Sequence, residues 1–303
     1  MQAILIGAVE GSRVALDAFL RAPDWRLAAV ATLPPDLSHR HSDFVDLAAP
    51  AAAAGVDTIF VRNVNSPEFI DTLDTLAADM VFVIGWSQLC GPAFRAAAGG
   101  RVVGYHPAPL PRLRGRAVIP WTILLDEKIT ASTLFYIDED VDSGDILGQR
   151  FFHVAPDETA GSLYRKHMAA LADLLDETLP RLARGNMSGT VQDPRFATWA
   201  TRRRPEDGRI DWNRPAHEVQ RLIRAAGRPY PGAFSTCGGT RIILWSAEPA
   251  PAADRHHAVP GQVLARSGEG FTVRCGDGGA LVITEWETPD GSPPRPHSIL
   301  GAA

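Results

Sequence analysis

The chain reads as an α/β protein: a Rossmann-like, mostly parallel sheet covered by helices, followed by a small, open, OB-like β-barrel. Three observations predict this. Residues 2–7, 80–84 and 101–104 are short runs with apolar residues on both faces, the pattern of central parallel strands. Amphipathic stretches of helical period alternate with such runs, giving βαβ units. Beyond Thr240 the pattern changes to short alternating runs between Gly-rich turns, which suits a small barrel. With 303 residues the chain exceeds the usual single-domain size, so two domains are expected. We place them at 1–188 and 204–303, joined by a linker at 189–203.

The elements follow in order. Residues 2–7 form a strand, Val14–Leu20 lies on a helix, and Arg26–Thr32 is the second strand. The turn between them, Gly7-Ala-Val-Glu-Gly11, lacks the Gly-x-Gly-x-x-Gly spacing, and no acidic residue closes the second strand, so no nicotinamide site is expected. His39 and His41 in the loop 34–42 have no third ligand nearby and read as solvated. A helix over Asp43–Ala54, a strand over Thr58–Val61 and a helix over Ser66–Ala77, capped by Ser66, come next. The strand Met80–Ile84 runs into a turn, Gly85-Trp-Ser-Gln-Leu-Cys90. After the strand Arg101–Gly104, a helix over Ala117–Asp126 should pack on the sheet. Strands Ala131–Ile137 and Ile146–Phe152 precede a long helix from Asp157 to about Arg184. Residues 186–203 are polar and aperiodic, and Arg202-Arg-Arg204 reads as a solvated run. A helix over Ala216–Ala226 opens the second domain, with strands at Thr240–Trp245, Gly261–Ala265, Gly270–Cys275 and Ala280–Glu285. The last fifteen residues read as loose.

A net charge of −5 and a pI near 6 argue against a general nucleic-acid surface. Cys90, Cys237 and Cys275 are far apart and odd in number, giving neither a disulfide framework nor metal-ligand spacing. The N-terminus lacks the basic and long apolar regions of a signal peptide, and no run approaches a membrane span. A cytoplasmic location is expected.

The chemistry-bearing stretch runs from Gly104 to Asp145. His106 follows a short apolar strand and opens a loop with Pro107, Pro109 and Pro111, which fix φ and force a stiff, extended path. The acidic turn beyond offers Asp142, and a buried carboxylate beside an imidazole fixes its tautomer and suits it to acid–base work. Asp138, Glu139, Asp140, Asp142 and Asp145 lack the EF-hand spacing for calcium, and no metal is expected. Cys90 has no His or Asn partner in sequence that would make it a nucleophile.

The run His106-Pro-Ala-Pro-Leu-Pro111, then Arg114-Gly-Arg-Ala117 and Trp121, then Thr130-Ala-Ser-Thr133 and Asp142-Ser-Gly-Asp-Ile-Leu147, resembles the signature of the folate-dependent formyltransferases. Gly208-Arg-Ile-Asp-Trp212 and Arg228-Pro-Tyr-Pro-Gly232 resemble the start of that family's C-terminal domain, most closely the version in its sugar-modifying members. The resemblance implies transfer of a formyl group from N10-formyltetrahydrofolate, a co-substrate that leaves as tetrahydrofolate. It implies His106 and Asp142 as catalytic residues: His106 donates to the oxyanion or to N10, and Asp142 keeps it protonated and takes the amine proton through water. It also implies a pterin pocket lined by Trp86, Gln88, Leu89 and Cys90, largely through backbone groups. Ala108, Pro109, Leu110, Pro111, Arg116, Asp138, Glu139, Asp140 and Val141 would complete the donor's surroundings.

The family usually has Asn two residues before the histidine, as an oxyanion donor, where this chain has Gly104. Gln88, a backbone N–H or a water could replace it. Among the family's acceptors, an amino group on a nucleotide-linked sugar is the first expectation. Arg112, Arg114 and Arg116 form a positive lip suited to a diphosphate or a glutamyl carboxylate. Initiator methionyl-tRNA is the alternative acceptor, disfavoured by low pI and few basic residues near 34–50. A folate-binding protein that has lost catalysis with its Asn is the non-enzymatic alternative. No membrane partner is expected, and a homodimer is left open.

Overall fold

The computed structural model describes residues 1–40, 43–251 and 255–301. His41 lies outside the described residues, and His39 sits exposed on a short 3-10 helix, Pro35–Arg40. The chain divides into two compact units: residues 1–118, 129–153 and 164–201 make the first, and 119–128, 154–163 and 202–303 the second.

The first unit is built on a seven-stranded sheet. Its strands are β1 (Gln2–Ile6), β2 (Arg26–Thr32), β3 (Thr58–Phe60), β4 (Met80–Val83), β5 (Val102–His106), β7 (Ile129–Tyr136) and β8 (Ile146–His153). A two-residue strand, β6 (Arg114–Gly115), lies outside it. The sheet order is β3-β2-β1-β4-β5-β7-β8; the first four pairings are parallel, and β7 and β8 add antiparallel. Both faces are buried, as the continuous apolar runs predict. Along β1, Ala3 and Leu5 join one core with Phe82, Val103, Leu134 and the leucines 171, 174, 175, 179 and 182. Ile4 and Ile6 join the other, with Val81, Val83, Val102, Phe69, Leu73 and Phe94. Helix α5 (Val118–Leu124) follows β6 in the chain, and the leucines come from the long helix α6 (Ala160–Ala183).

Four further helices belong wholly to this unit: α1 (Glu10–Arg21), α2 (Ala48–Ala53), α3 (Pro67–Leu76) and α4 (Pro92–Ala97). Ser66 caps α3, its side chain accepting from the Phe69 N–H (3.4 Å). Helix α2 is shorter than the predicted 43–54, and α4, too short to show a period, was not predicted. The first βα turn is closed rather than open to a phosphate. Ser12 Oγ donates to the Ile84 carbonyl (2.6 Å) and accepts from the Val9 N–H (3.1 Å), so the start of α1 is already occupied.

In the second unit, helix α7 (Ala216–Ala226) covers five antiparallel strands: β10 (Ala233–Cys237), β11 (Thr240–Pro249), β12 (Val263–Ser267), β13 (Gly270–Arg274) and β14 (Ala280–Glu287). Their order is β10-β11-β14-β13-β12, an open antiparallel sheet among the described strands. Val219, Ile223 and Ala226 of α7 meet Leu244, Phe271, Val273 and Ile283 in one core. The segment 119–128, expected to pack on the large sheet, groups here instead. Asp126 pairs with Arg221 (3.1 Å) and the Trp121 ring lies 5.4 Å beneath the Arg203 guanidinium. The tail is tied rather than loose as far as it is described. Leu300 is buried, His297 donates its N–H to the Val263 carbonyl (2.8 Å), and Gly301 donates to Thr236 (2.7 Å). Among the described residues, no helix is long and apolar enough to cross a membrane.

The seam between β1 and β4 admits no side chain at position 7. A Cβ on Gly7 would lie 2.1 Å from both the Ile84 carbonyl oxygen and Ser12 Oγ. Gly7→Ala should therefore lower stability by about 3 kcal/mol or somewhat more, read as a fall in the urea midpoint at unchanged slope.

Candidate active site

Strands β4 and β5 are parallel neighbours, with Val83 opposite Gly104, so the turn 85–90 and the loop after His106 leave the sheet side by side. Ligands of open α/β sheets bind outside such strand ends. The loop is nailed down at its base. Thr133 Oγ1 donates to the Ala108 carbonyl (2.7 Å), and Gln149 Nε2 donates to the Leu110 carbonyl (2.7 Å). Ala108 and Leu110 are buried, while Pro109 and Pro111 are half-buried.

His106 is buried and held on both sides. Its Nε2 lies 2.7 Å from the Leu113 carbonyl, which can only accept, so Nε2 carries a proton. Its Nδ1 lies 3.6 Å from Asp142 Oδ2, an ion-pair distance longer than a hydrogen bond. The same Oδ2 accepts from the Gly115 N–H at 2.8 Å. The exposure of the two side chains is 7% for His106 and 19% for Asp142.

The acidic turn reaches the imidazole by doubling back. Strand β7 runs antiparallel to β5, Tyr136 pairs with Val103, and the Ile137 N–H donates to Val102 (2.8 Å). The chain therefore leaves β7 at the end of β5 remote from His106. It returns through a compact turn in which Asp142 has φ 54°, in the left-handed region, and Ser143 donates to Asp138 (2.6 Å). Glu139, Asp140 and Val141 stand exposed on that turn.

The turn 85–90 joins the same neighbourhood, because Arg116 Nη2 donates to the Ser87 carbonyl (2.7 Å). Leu89 is 66% exposed, and Trp86 buries its Nε1–H without a hydrogen-bond partner among the described residues. Gln88 is not free to act on a substrate. Its Oε1 accepts from the Val64 N–H (2.9 Å) and its Nε2 donates to the Arg62 carbonyl (2.8 Å). Nor can a side chain simply be added at Gly104, where a Cβ would lie 2.9 Å from the Phe135 ring. The positive lip is smaller than the sequence implies. Arg114 turns inward, is buried, and donates to Gln192 Oε1 from Nη2 (2.8 Å) and Nε (3.2 Å).

Two residues that the sequence left in the linker belong to this neighbourhood. Gln192 Nε2 donates to the carbonyls of Asp142 (2.9 Å) and Gly144 (2.8 Å). Thr198 Oγ1 accepts from the Leu113 N–H (2.9 Å), and a short strand, β9 (Trp199–Ala200), pairs with β6. Sequence offers little signal for them beyond polar residues in an aperiodic run.

Comparison with known families decides the relationship. The model described as "Formyl transferase" matches residues 34–179, and "Formyl transferase, C-terminal domain" matches 203–302. The chain belongs to the formyl transferase family. Solved structures agree in fold. The chain resembles HypX from Aquifex aeolicus in complex with tetrahydrofolic acid at 20% identity and TM-score 0.67, over 98% of its length. It spans 45% of that HypX chain. It resembles WlaRD, a sugar 3N-formyl transferase crystallised with dTDP and 5-N-formyl-THF, at 15% identity and TM-score 0.67, over 96% of this chain and 98% of that one. For the N-formyltransferase from Helicobacter canadensis in complex with folinic acid and dTDP-3-aminofucose, the values are 16%, 0.66, 93% and 98%. Among the described residues no group of three or more His, Cys, Asp or Glu is placed to hold a metal.

Cys90 is buried, and that burial pushes its thiol up to about 12; Cys275 is pushed up to about 12 for the same reason. The thiolate is the reactive form, so both should stay protonated and inert at pH 8. A thiol reagent at that pH should label the half-buried Cys237 alone in the native protein, and all three cysteines after unfolding in guanidinium. Rapid native labelling of Cys90 would contradict the burial.

Proposed function

We propose that the formyltransferase moves a formyl group from N10-formyltetrahydrofolate to a primary amine, and that the amine belongs to a nucleotide-linked amino sugar. The observation that carries the reaction is the His106–Asp142 pair, a buried imidazole and a half-buried carboxylate facing each other beside the 85–90 turn. The donor's ring system has a fitting partner in the turn, where the Trp86 indole N–H is buried and unbonded among the described residues. Backbone groups at 86–90 and 138–141 and the exposed Leu89 complete that edge. When bound, the donor supplies an activated formyl carbonyl on N10.

His106 Nε2 is committed to Leu113, so any proton His106 passes to the substrate leaves from Nδ1. Asp142, across from Nδ1, stabilises the protonated ring and accepts the amine proton through water. With Gly104 lacking a side chain and Gln88 engaged, a second oxyanion donor comes from a backbone N–H or a water. One such donor is typically worth about 2.7–4 kcal/mol.

The acceptor assignment is supported by length. WlaRD and the Helicobacter canadensis N-formyltransferase both match across 98% of their own chains, so this chain spans nearly all of their length. Arg112 and Arg116, exposed near the loop, suit a diphosphate. Nucleotide-linked amino sugars, screened with 10-formyltetrahydrofolate, should gain the mass of one formyl group. Faster formylation of initiator methionyl-tRNA would reverse the choice of acceptor.

The catalytic pair has its own test. His106→Ala and Asp142→Asn should each lower turnover by roughly 10²–10⁴-fold while folate dissociation constants change little. The double variant should be little worse than either, because groups acting jointly are not additive. Near-normal turnover in Asp142→Asn would remove the mechanism's support.

A further inference from the structure

Accepting the proposed reaction, we infer that Gln192 is a positioning residue for the reaction, the clamp that fixes Asp142 opposite His106. Gln192 uses every hydrogen-bonding site of its amide. It is buried, each N–H of its amide takes one carbonyl of the acidic turn, Asp142 at 2.9 Å and Gly144 at 2.8 Å, and its oxygen takes two N–H groups of Arg114. An amide offers two donors and two acceptor sites, so this one is saturated. Its orientation is unambiguous as well. Turned over, it would set oxygen against two carbonyls and N–H groups against a guanidinium.

The contacts close a ring. Arg114 precedes Gly115, whose N–H donates to Asp142 Oδ2 (2.8 Å), the same oxygen that faces His106 Nδ1. One end of Gln192 therefore holds the backbone of the turn, and the other holds the strand that supplies the carboxylate's direct donor. The turn needs such a hold. Asp142 has left-handed backbone, and Gly144 passes so close to β7 that a Cβ there would lie 1.9 Å from the Tyr136 oxygen. With the amide's donors removed, the buried Gly144 carbonyl and the part-buried Asp142 carbonyl lose this partner, and the turn can relax away from the imidazole.

Gln192→Glu tests this with almost no change of shape. One carboxylate oxygen can stay on Arg114, and the other faces two carbonyls and repels them. The variant should lose turnover by roughly ten- to a hundredfold, the scale of a small misplacement of a reacting group, with the donor KM within about twofold of native. In the Asp142→Asn background the same change should cost little more. A readout independent of turnover is the ¹⁵N resonance of His106, assigned as the signal missing from His106→Ala. Gln192→Glu should move it, as Asp142→Asn does. Native turnover, a loss additive with Asp142→Asn, or an unmoved His106 resonance would each overturn the assignment. If Gln192→Glu fails to fold, Arg114→Lys, which keeps one donor on the amide oxygen, should give a smaller loss and shift of the same kinds, and native values there would overturn it. If the native protein transfers no formyl group, the proposed reaction fails, and the His106 resonance alone decides whether Gln192 positions Asp142.

Discussion

Two residues in left-handed backbone hold one imidazole between them, and the site depends on that arrangement. Leu113 (φ 58°) turns its carbonyl toward Nε2, and Asp142 (φ 54°) brings its carboxylate toward Nδ1. Leucine rarely adopts that region and aspartate adopts it more readily, and such a residue costs about 1–3 kcal/mol unless its surroundings over-determine it. Here they do. Thr198 takes the Leu113 N–H, Gly115 donates to the Asp142 carboxylate, and Gln192 takes the Asp142 carbonyl. The strain is stored where the chemistry is proposed and is stabilised by hydrogen bonds that reach across the chain.

The sheet supplies what these contacts require. Parallel β4 and β5 bring two strand ends together, while antiparallel β7 carries the chain away from His106. The acidic turn exists to undo that second displacement, which explains its tightness. Phe135, opposite Gly104 in the β5–β7 register, occupies the space a side chain at 104 would take. The replacement of the family's usual Asn is thus built into the packing, and a single substitution cannot restore the amide without moving an aromatic ring.

Much of this was legible in the sequence. The strands of the large sheet show as continuous apolar runs because both faces are buried, and Pro107, Pro109 and Pro111 mark the stiff loop. His106 and Asp142 stand out by motif. Other features depend on partners far away in sequence, which local patterns do not encode. Gln192 and Thr198 look like linker residues because polarity reads as solvent exposure, whereas here it satisfies buried backbone. Arg114 reads as part of a charged lip until its guanidinium is seen on Gln192. Two-residue strands such as β6 and β9 have no period to detect, and Ala233–Cys237 was hidden behind the prolines and glycine at 229–232. The tail seemed loose from its composition, yet Leu300 is a core residue.

The β6–β9 pairing bears on where the proposed catalytic part of the chain ends. Counting helices and sheet strands alone, residue 188 looks like a natural stopping point. A chain cut there would keep His106, Asp142 and all seven strands of the sheet. It would lose Gln192, Thr198 and the partner of β6, leaving Leu113 and Asp142 to relax out of their strained backbone. The smallest piece with a complete site therefore runs to Ala200, and an inactive fragment ending short of it would say nothing about whether the second unit takes part in catalysis.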